Sequence, residues 1–461
     1  MASSSAASRV RPIRTEAAAA GSGVAPILFT VARGVLLATL LAAPLAYGAV
    51  EAWAWAGIAC LVLLTLLLWT AGSVARRVLK VAWSPLYVLA ALLLSWGCIQ
   101  YWTRWTLVPP ATRESLLKLA TDVILLFIAT QLLADDFRPS LARWGFAVAV
   151  YAFALSLFAI LQYSSSNGRI YWTTQSAGWV FGPYVNHNHY AGLMEMLIPV
   201  AAGHLLSRPE RDPARPFLGF ALLVPIASLL LSGSRGGLIA LFAELLIFGS
   251  VLVVYGWQHN HQRYVAVLAL AVTAAVATFF WLDFGKVSQR LATVFATPRS
   301  AEATMGARIT MSRDALHIVR DYPWKGIGVG SFEDVYPRYQ SFAADLNVVH
   351  AHDDYVEALA ETGVVGGILM LAGLLIFLRR AFSQLRERLA DESGWIQFGA
   401  AVGCCGLLVH SFADFNLHIP ANAAWFCVCA VAAASGVAAR RKTPRDGMGP
   451  TSASAGPPDQ A

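Results

Sequence analysis

Apolar runs of about twenty residues, separated by short polar breaks, recur along almost the whole chain. Read as helices, they predict twelve spans, at residues 26–48, 52–71, 84–103, 118–134, 144–163, 187–206, 215–232, 236–256, 263–282, 362–379, 396–416 and 420–438. The strands of a membrane barrel would instead be segments of about ten residues with sides alternating. One stretch interrupts the rhythm: from Lys286 to Thr362 the chain is polar and rich in turn residues. Within it, Gly306 to Tyr322 has helical periodicity, with Ile309, Leu316, Val319, Ala315 and Ile318 as apolar positions and Pro323 as the stop. The opposite face offers Arg308, Arg313, His317 and Arg320. The fold class that follows is an all-α integral membrane protein of about twelve transmembrane helices, with one long loop containing short helices between spans nine and ten. The expected organisation is a disordered tail over 1–25, spans one to nine over 26–282, the loop or lid over 283–361, spans ten to twelve over 362–438 and a second disordered tail over 439–461.

Composition agrees with this pattern. The 461 residues are 57% hydrophobic and 13% charged, with a mean hydropathy of +0.57, whereas soluble domains carry roughly 25% charge. A net charge of +7 would suggest nucleic acid in a soluble protein, but here the basic residues sort by loop. With the N-terminus inside, Arg76, Arg77, Lys80, Arg138, Arg143, Arg208, Arg211, Arg215, Arg379, Arg380, Arg386 and Arg388 fall in short cytoplasmic segments, as do both tails. Nine spans counted from an inside N-terminus put the long polar stretch on the outer side, where its own charges are discounted by that rule, and no nucleic-acid partner is expected. The six cysteines, Cys60, Cys98, Cys404, Cys405, Cys427 and Cys429, all lie in apolar runs and read as small buried hydrophobes. The N-terminal Ala/Ser-rich segment is followed by an apolar run longer than the core of a signal peptide, and reads as a tail before the first span.

Five polar clusters remain, and this topology puts all of them on the outer side. The first, Phe181 to Gly192, holds Asn186, His187, Asn188 and His189 where the chain enters span six; it reads either as helix capping and interfacial anchoring or as the lining of a wet cavity. The second is Ser232-Gly233-Ser234-Arg235-Gly236-Gly237, a tight turn whose arginine invites an anion and whose glycines permit close approach. The third joins the arginine face of the loop helix to the glycine-rich Trp324 to Phe332, which lacks dinucleotide-fingerprint spacing and reads as a turn against the membrane surface. The fourth, His350-Ala351-His352-Asp353-Asp354-Tyr355, opens a short helix that Gly363 interrupts. It could chelate a metal, place a general base beside an orienting carboxylate, or merely anchor the interface; no third histidine stands at a customary spacing, which ranks the metal below the base. The fifth, His410 to Asn422, contains Asp414 and His418 and reads as support for a site.

Taken together, Asn186-x-Asn188 before an apolar helix, Ser234-Arg235-Gly236-Gly237, the arginine helix around Arg308, and His350-Ala351-His352-Asp353-Asp354-Tyr355 leading into Glu361-Thr362-Gly363 resemble the O-antigen ligase and O-antigen polymerase superfamily of bacterial polysaccharide glycosyltransferases. The resemblance covers roughly residues 180 to 380. It implies a GT-C-like enzyme of the bacterial inner membrane that acts at the periplasmic face without a cofactor or metal. The implied donor is a glycan on undecaprenyl diphosphate, and the acceptor a hydroxyl of a glycan, of lipid A-core or of another molecule, with membrane lipids around the site. It further implies His352 or His350 as the base, and Arg235 and Arg308 as the groups that neutralise the departing diphosphate. Asn186, Asn188, His189, Arg290, Arg313, Asp353, Tyr355, Asp414 and His418 are the expected substrate-binding residues. The chain has His352-Asp353 where the family has His-Asn. A competing class is a transporter or flippase of lipid-linked saccharides, which would need polar groups near the bilayer midplane.

Overall fold

The structure is a computed structural model and describes residues 23–176, 178–258, 305–342 and 348–435. In chain order the α-helices are α1 Val24–Leu45, α2 Ala52–Arg76, α3 Pro85–Trp102, α4 Pro109–Asp135, α5 Phe137–Ser165, α6 His187–Ser207, α7 Arg215–Ser232, α8 Arg235–Gln258, α9 Met305–Asp321, α10 Phe332–Val335, α11 Asp354–Phe382, α12 Leu385–Leu389, α13 Glu392–His410 and α14 Pro420–Ala434. Among the described residues there are only two isolated β-bridges and no named strand. Ten of these helices are long and apolar enough to cross a membrane, and α14 is a shorter apolar helix. Eleven of the twelve expected spans therefore coincide with helices; the ninth, 263–282, lies outside the described residues.

Several boundaries differ from the expectation for local reasons. Helix α4 begins nine residues before the expected span, because Pro109 and Pro110 occupy its first turn and Glu114 pairs with Lys118 one turn on, at 2.7 Å. Helix α13 ends at His410, so Ser411 to Asn416 form a turn where span eleven was expected to continue. Helix α14 has 15 residues, about 22 Å at the helical rise, too short for a hydrocarbon core of about 30 Å. Its last carbonyls would face lipid without partners. Donors from neighbouring segments reach them instead: Arg388 to Ala433 O at 3.0 Å, Gln397 to Ala432 O at 3.0 Å and Arg380 to Ala434 O at 3.3 Å.

The core of the bundle is α6 against α13, both almost wholly buried. Glycines set their closeness: a Cβ on Gly399 would lie 2.1 Å from Pro199 O, and one on Gly203 would lie 2.2 Å from Trp395 O. Pro44 leaves Leu40 O in α1 without its helical donor, and the indole N–H of Trp425 from α14 supplies one at 2.9 Å.

The described part of the segment between α8 and α11 builds a small core of its own that includes Ala307, Met311, Ala315, Ile318, Ile327, Phe332, Val335 and Tyr336. The buried stripe of α9 is thus Ala307, Met311, Ala315 and Ile318, while Ile309 and Leu316, expected on the apolar face, are exposed. The stripe alternates small and large side chains, Ala307 and Ala315 with Met311 and Ile318, and it is rotated from the face the sequence pattern indicated. Buried Asp314 ties this segment down by accepting from Tyr336 Oη, Ser341 N and Ser341 Oγ at 3.0–3.1 Å. Gly363 breaks α11 with φ 65° and ψ −171°. The glycine-rich turn fills the break: Ile327 N and Gly328 N donate to Ala360 O and Glu361 O, both at 3.0 Å, and Val364 N donates to Pro323 O at 2.8 Å. The turn is therefore a plug for a broken helix. Gln100 of α3 donates to Lys325 O and Glu361 O, which fixes the plug to the bundle.

Candidate active site

The start of α6, the α7–α8 turn, the start of α9, the start of α11 and the α13–α14 turn meet at one end of the bundle. Their centre is Asp414, which has no exposed side-chain surface. Its Oδ2 lies 3.3 Å from Arg308 Nη1, a guanidinium that also donates to Ala413 O. Its Oδ1 lies 3.5 Å from His352 Nδ1 and 3.7 Å from His189 Nε2. Those imidazoles stand beyond hydrogen-bond length, so their hold on the carboxylate is electrostatic. Burial alone would raise the Asp414 carboxyl, but the two imidazoles and the Arg308 charge together hold it well below the usual carboxylate range.

The local chain explains why His352 reaches this point. Its backbone adopts φ 54°, a left-handed conformation that costs a non-glycine residue on the order of 1 kcal/mol. Asp353 then caps α11, accepting from Tyr355 N at 3.0 Å and Val356 N at 3.1 Å. Burial raises the Asp353 carboxyl, while those two N–H groups pull it down. The carboxylate beside the His352 imidazole is accordingly Asp414, not its sequence neighbour Asp353. Tyr355 donates to Leu408 O at 2.7 Å, and Asp354 N donates to Ser411 O at 2.9 Å, so the start of α11 is fastened to the end of α13. Phe415 collects three imidazoles, with ring centres 4.2 Å from His350, 4.7 Å from His189 and 5.0 Å from His352.

The remaining expected residues separate into groups. His350 and His418 turn to Glu357 rather than to Asp414, at 2.7 and 3.4 Å. Asn186 caps α6 by accepting from Asn188 N at 2.9 Å, and Asn188 is buried. Asn422 binds the α6 start to the last turn, donating to His189 O and Asn416 Oδ1 and accepting from Tyr184 Oη. Arg235 is exposed at the first position of α8 and makes no ion pair among the described residues. Arg313 is exposed on α9, and Arg290 lies outside the described residues.

The sequence reading missed three groups. Asp354 stands inside the histidine motif and Glu357 two residues beyond it, and neither was among the expected site residues. Glu195 on α6 pairs with His410 at 2.7 Å, both wholly buried, and Glu244 of α8 is buried with no hydrogen-bond partner on either oxygen. A carboxylate within an apolar run was the signal for both. His410 explains one glycine of the α7–α8 turn: a Cβ on Gly236 would lie 2.3 Å from its Nε2.

Such an end holds a buried anion, two imidazoles and a guanidinium, and the α7–α8 turn that meets it carries an exposed arginine; these residue types suit the handling of a proton and an anionic group. Residues 220–371 match a family model described as O-Antigen ligase (Wzy_C). Over that segment, about a third of the chain, the sequence is similar to O-antigen ligases, and the ten long apolar helices fit a multi-pass membrane protein. The matched segment runs from α7 into α11 and contains Arg235, Arg308, His350 and His352; Asn186, His189 and Asp414 fall outside it. No curated protein matches the chain.

Proposed function

We propose that this protein transfers a glycan from an undecaprenyl-diphosphate donor to an acceptor hydroxyl at the periplasmic face of the inner membrane. The observation that carries this reading is the buried Asp414 between Arg308 and His352. With Nδ1 turned to Asp414, His352 offers Nε2 to the acceptor. That nitrogen takes the hydroxyl proton as the oxygen attacks the anomeric carbon. The bond from that carbon to the diphosphate breaks, and the diphosphate leaves with the electron pair. No step requires a metal. Arg235, exposed at the start of α8, meets the diphosphate, each charge-assisted contact contributing about 1.5–3 kcal/mol. Arg308, already shared with Asp414, completes the positive field there. Asn188, Tyr355 and Arg313 belong to the walls of the same outer end.

The test is glycan transfer by purified protein in detergent, from a defined lipid-linked donor to candidate acceptors, with products identified by mass. His352→Ala and Arg235→Ala are expected to lose transfer; His352→Ala with wild-type turnover would remove the base assignment. One observation favours the flippase reading: Glu195 and Glu244 are buried, about 12–14 Å along their helices from the site end, near where a transporter keeps polar groups. Product formed in detergent, where transport cannot be scored, decides for the enzyme.

A further inference from the structure

Beside the Asp414 group, His350 and Glu357, seven residues apart, and the distant His418 aim at one point. His350 Nδ1 and His418 Nε2 lie 2.7 and 3.4 Å from Glu357 Oε1, and one donor atom from each residue falls within 4.8 Å of the others. Each side chain is braced from behind. His418 Nδ1 is 2.7 Å from Asp354 Oδ1, and the other Asp354 oxygen accepts from Leu417 N at 3.2 Å. Glu357 Oε2 accepts from Ala351 N at 2.7 Å. The His350 ring stacks on Phe415 with planes 28° apart.

The bracing fixes what faces the centre. With Nδ1–H given to Asp354, His418 turns Nε2 towards the anionic oxygen of Glu357. A lone pair there would be repelled, so the centre requires positive charge, either further protons or a metal ion. Protons on both rings would leave two N–H groups sharing the single oxygen Glu357 Oε1, whereas one ion would take a donor atom from all three side chains. A carboxylate on the far nitrogen of a histidine is, by contrast, the usual way a metal-binding imidazole is oriented. Two ligands on a tetrahedral zinc-like ion, at 2.0–2.1 Å each, stand about 3.4 Å apart. Glu357 and His418 already have that separation, and the His350 contact needs to open by only about 0.7 Å to match it.

We propose that His350, Glu357 and His418 form a binding site for a divalent transition metal of the zinc class, braced by Asp354 and with a fourth position open to solvent. Two imidazoles and one carboxylate favour such ions over magnesium or calcium. The ion would bolt the chain before α11, the first turn of α11 and the last outer turn together, with Phe415 and its imidazoles held between them. This site does not rest on the transferase reading, because its ion holds the segments and takes no part in the transfer.

The experiment uses full-length protein purified in detergent through a tag without histidine, stripped with a chelator and offered Zn2+ or Co2+. The expected result is one bound equivalent per chain by elemental analysis, a visible Co2+ absorption of a low-coordinate site, and a raised thermal midpoint. Asp354→Asn is expected to weaken binding about 10–100-fold. His418→Ala and Glu357→Gln should abolish it, while His352→Ala retains it. Stripped wild-type protein that takes up no ion overturns the proposal, and this arm needs no variant to fold. Wild-type stoichiometry in folded His418→Ala or Glu357→Gln overturns it as well.

Discussion

Replacing Asp414 by Asn removes the one charge on which Arg308, His352 and His189 converge, while nearly preserving shape. At 3.3 Å, the attraction between Arg308 and Asp414 is about 5 kcal/mol at an effective dielectric of 20. Breaking a buried pair by removing one partner costs about 3–5 kcal/mol. Arg308 keeps 16% of its side chain exposed, which lets water answer part of that loss and points to about 3 kcal/mol. The imidazole also loses the group that holds its Nδ1 inward, and a general base is worth about 10²–10⁴ in rate. Glycan transfer by Asp414→Asn should therefore fall at least about 100-fold, read as initial rate with a defined lipid-linked donor. The pH dependence gives an independent sign. A carboxyl held below its ordinary value stabilises the fold above its unfolded pKa and loses that contribution as pH falls through the folded value. The stability advantage of wild type over the variant should be full above about pH 4–5 and shrink in acid, measured as thermal unfolding against pH. An Asp414→Asn protein with transfer within a few-fold of wild type would refute the reasoning.

Two further outcomes concern the scaffold. Trp425→Phe leaves Leu40 O without its only cross-helix donor among the described residues, and should lower stability by about 1–3 kcal/mol in denaturation of the purified protein. Gly399→Val sets a side chain 2.1 Å from Pro199 O, so α6 and α13 must part; the loss, seen as a lower thermal midpoint, should be at least about 1–3 kcal/mol.

The positions of the helices were legible because each is a local matter. An apolar run long enough to cross a bilayer, opened by Pro or a capping residue and closed by polar ones, states its own limits within its own twenty residues. Eleven helices coincide with spans read that way, and Gly363 was already visible as a break. The plug that fills the break was not, because the donors from Ile327 and Gly328 come from a turn whose own sequence gives no sign of a helix 33 residues away. The length of α14 was misjudged for a related reason. Its apolar sequence continues past Ala434, and the donors from Arg380, Arg388 and Gln397 that meet its last carbonyls belong to other helices.

The same division runs through the candidate site. The sequence by itself determined which polar residues sit at the ends of apolar helices, and the basic residues of the short loops gave those ends a common side. It also supplied the residue types for handling a proton and an anionic group. Only the tertiary structure decided which of them meet. Asp414 joins Arg308 across 106 positions, and His410 joins Glu195 across 215. His352 turns to Asp414 rather than to the adjacent Asp353, and His418 supplies to Glu357 and His350 the third donor that no local spacing announced. The physical reason is that a helix end depends on its own next few residues, whereas the partner of a buried charge is whichever group packing brings across from another helix, and no period in one chain records that.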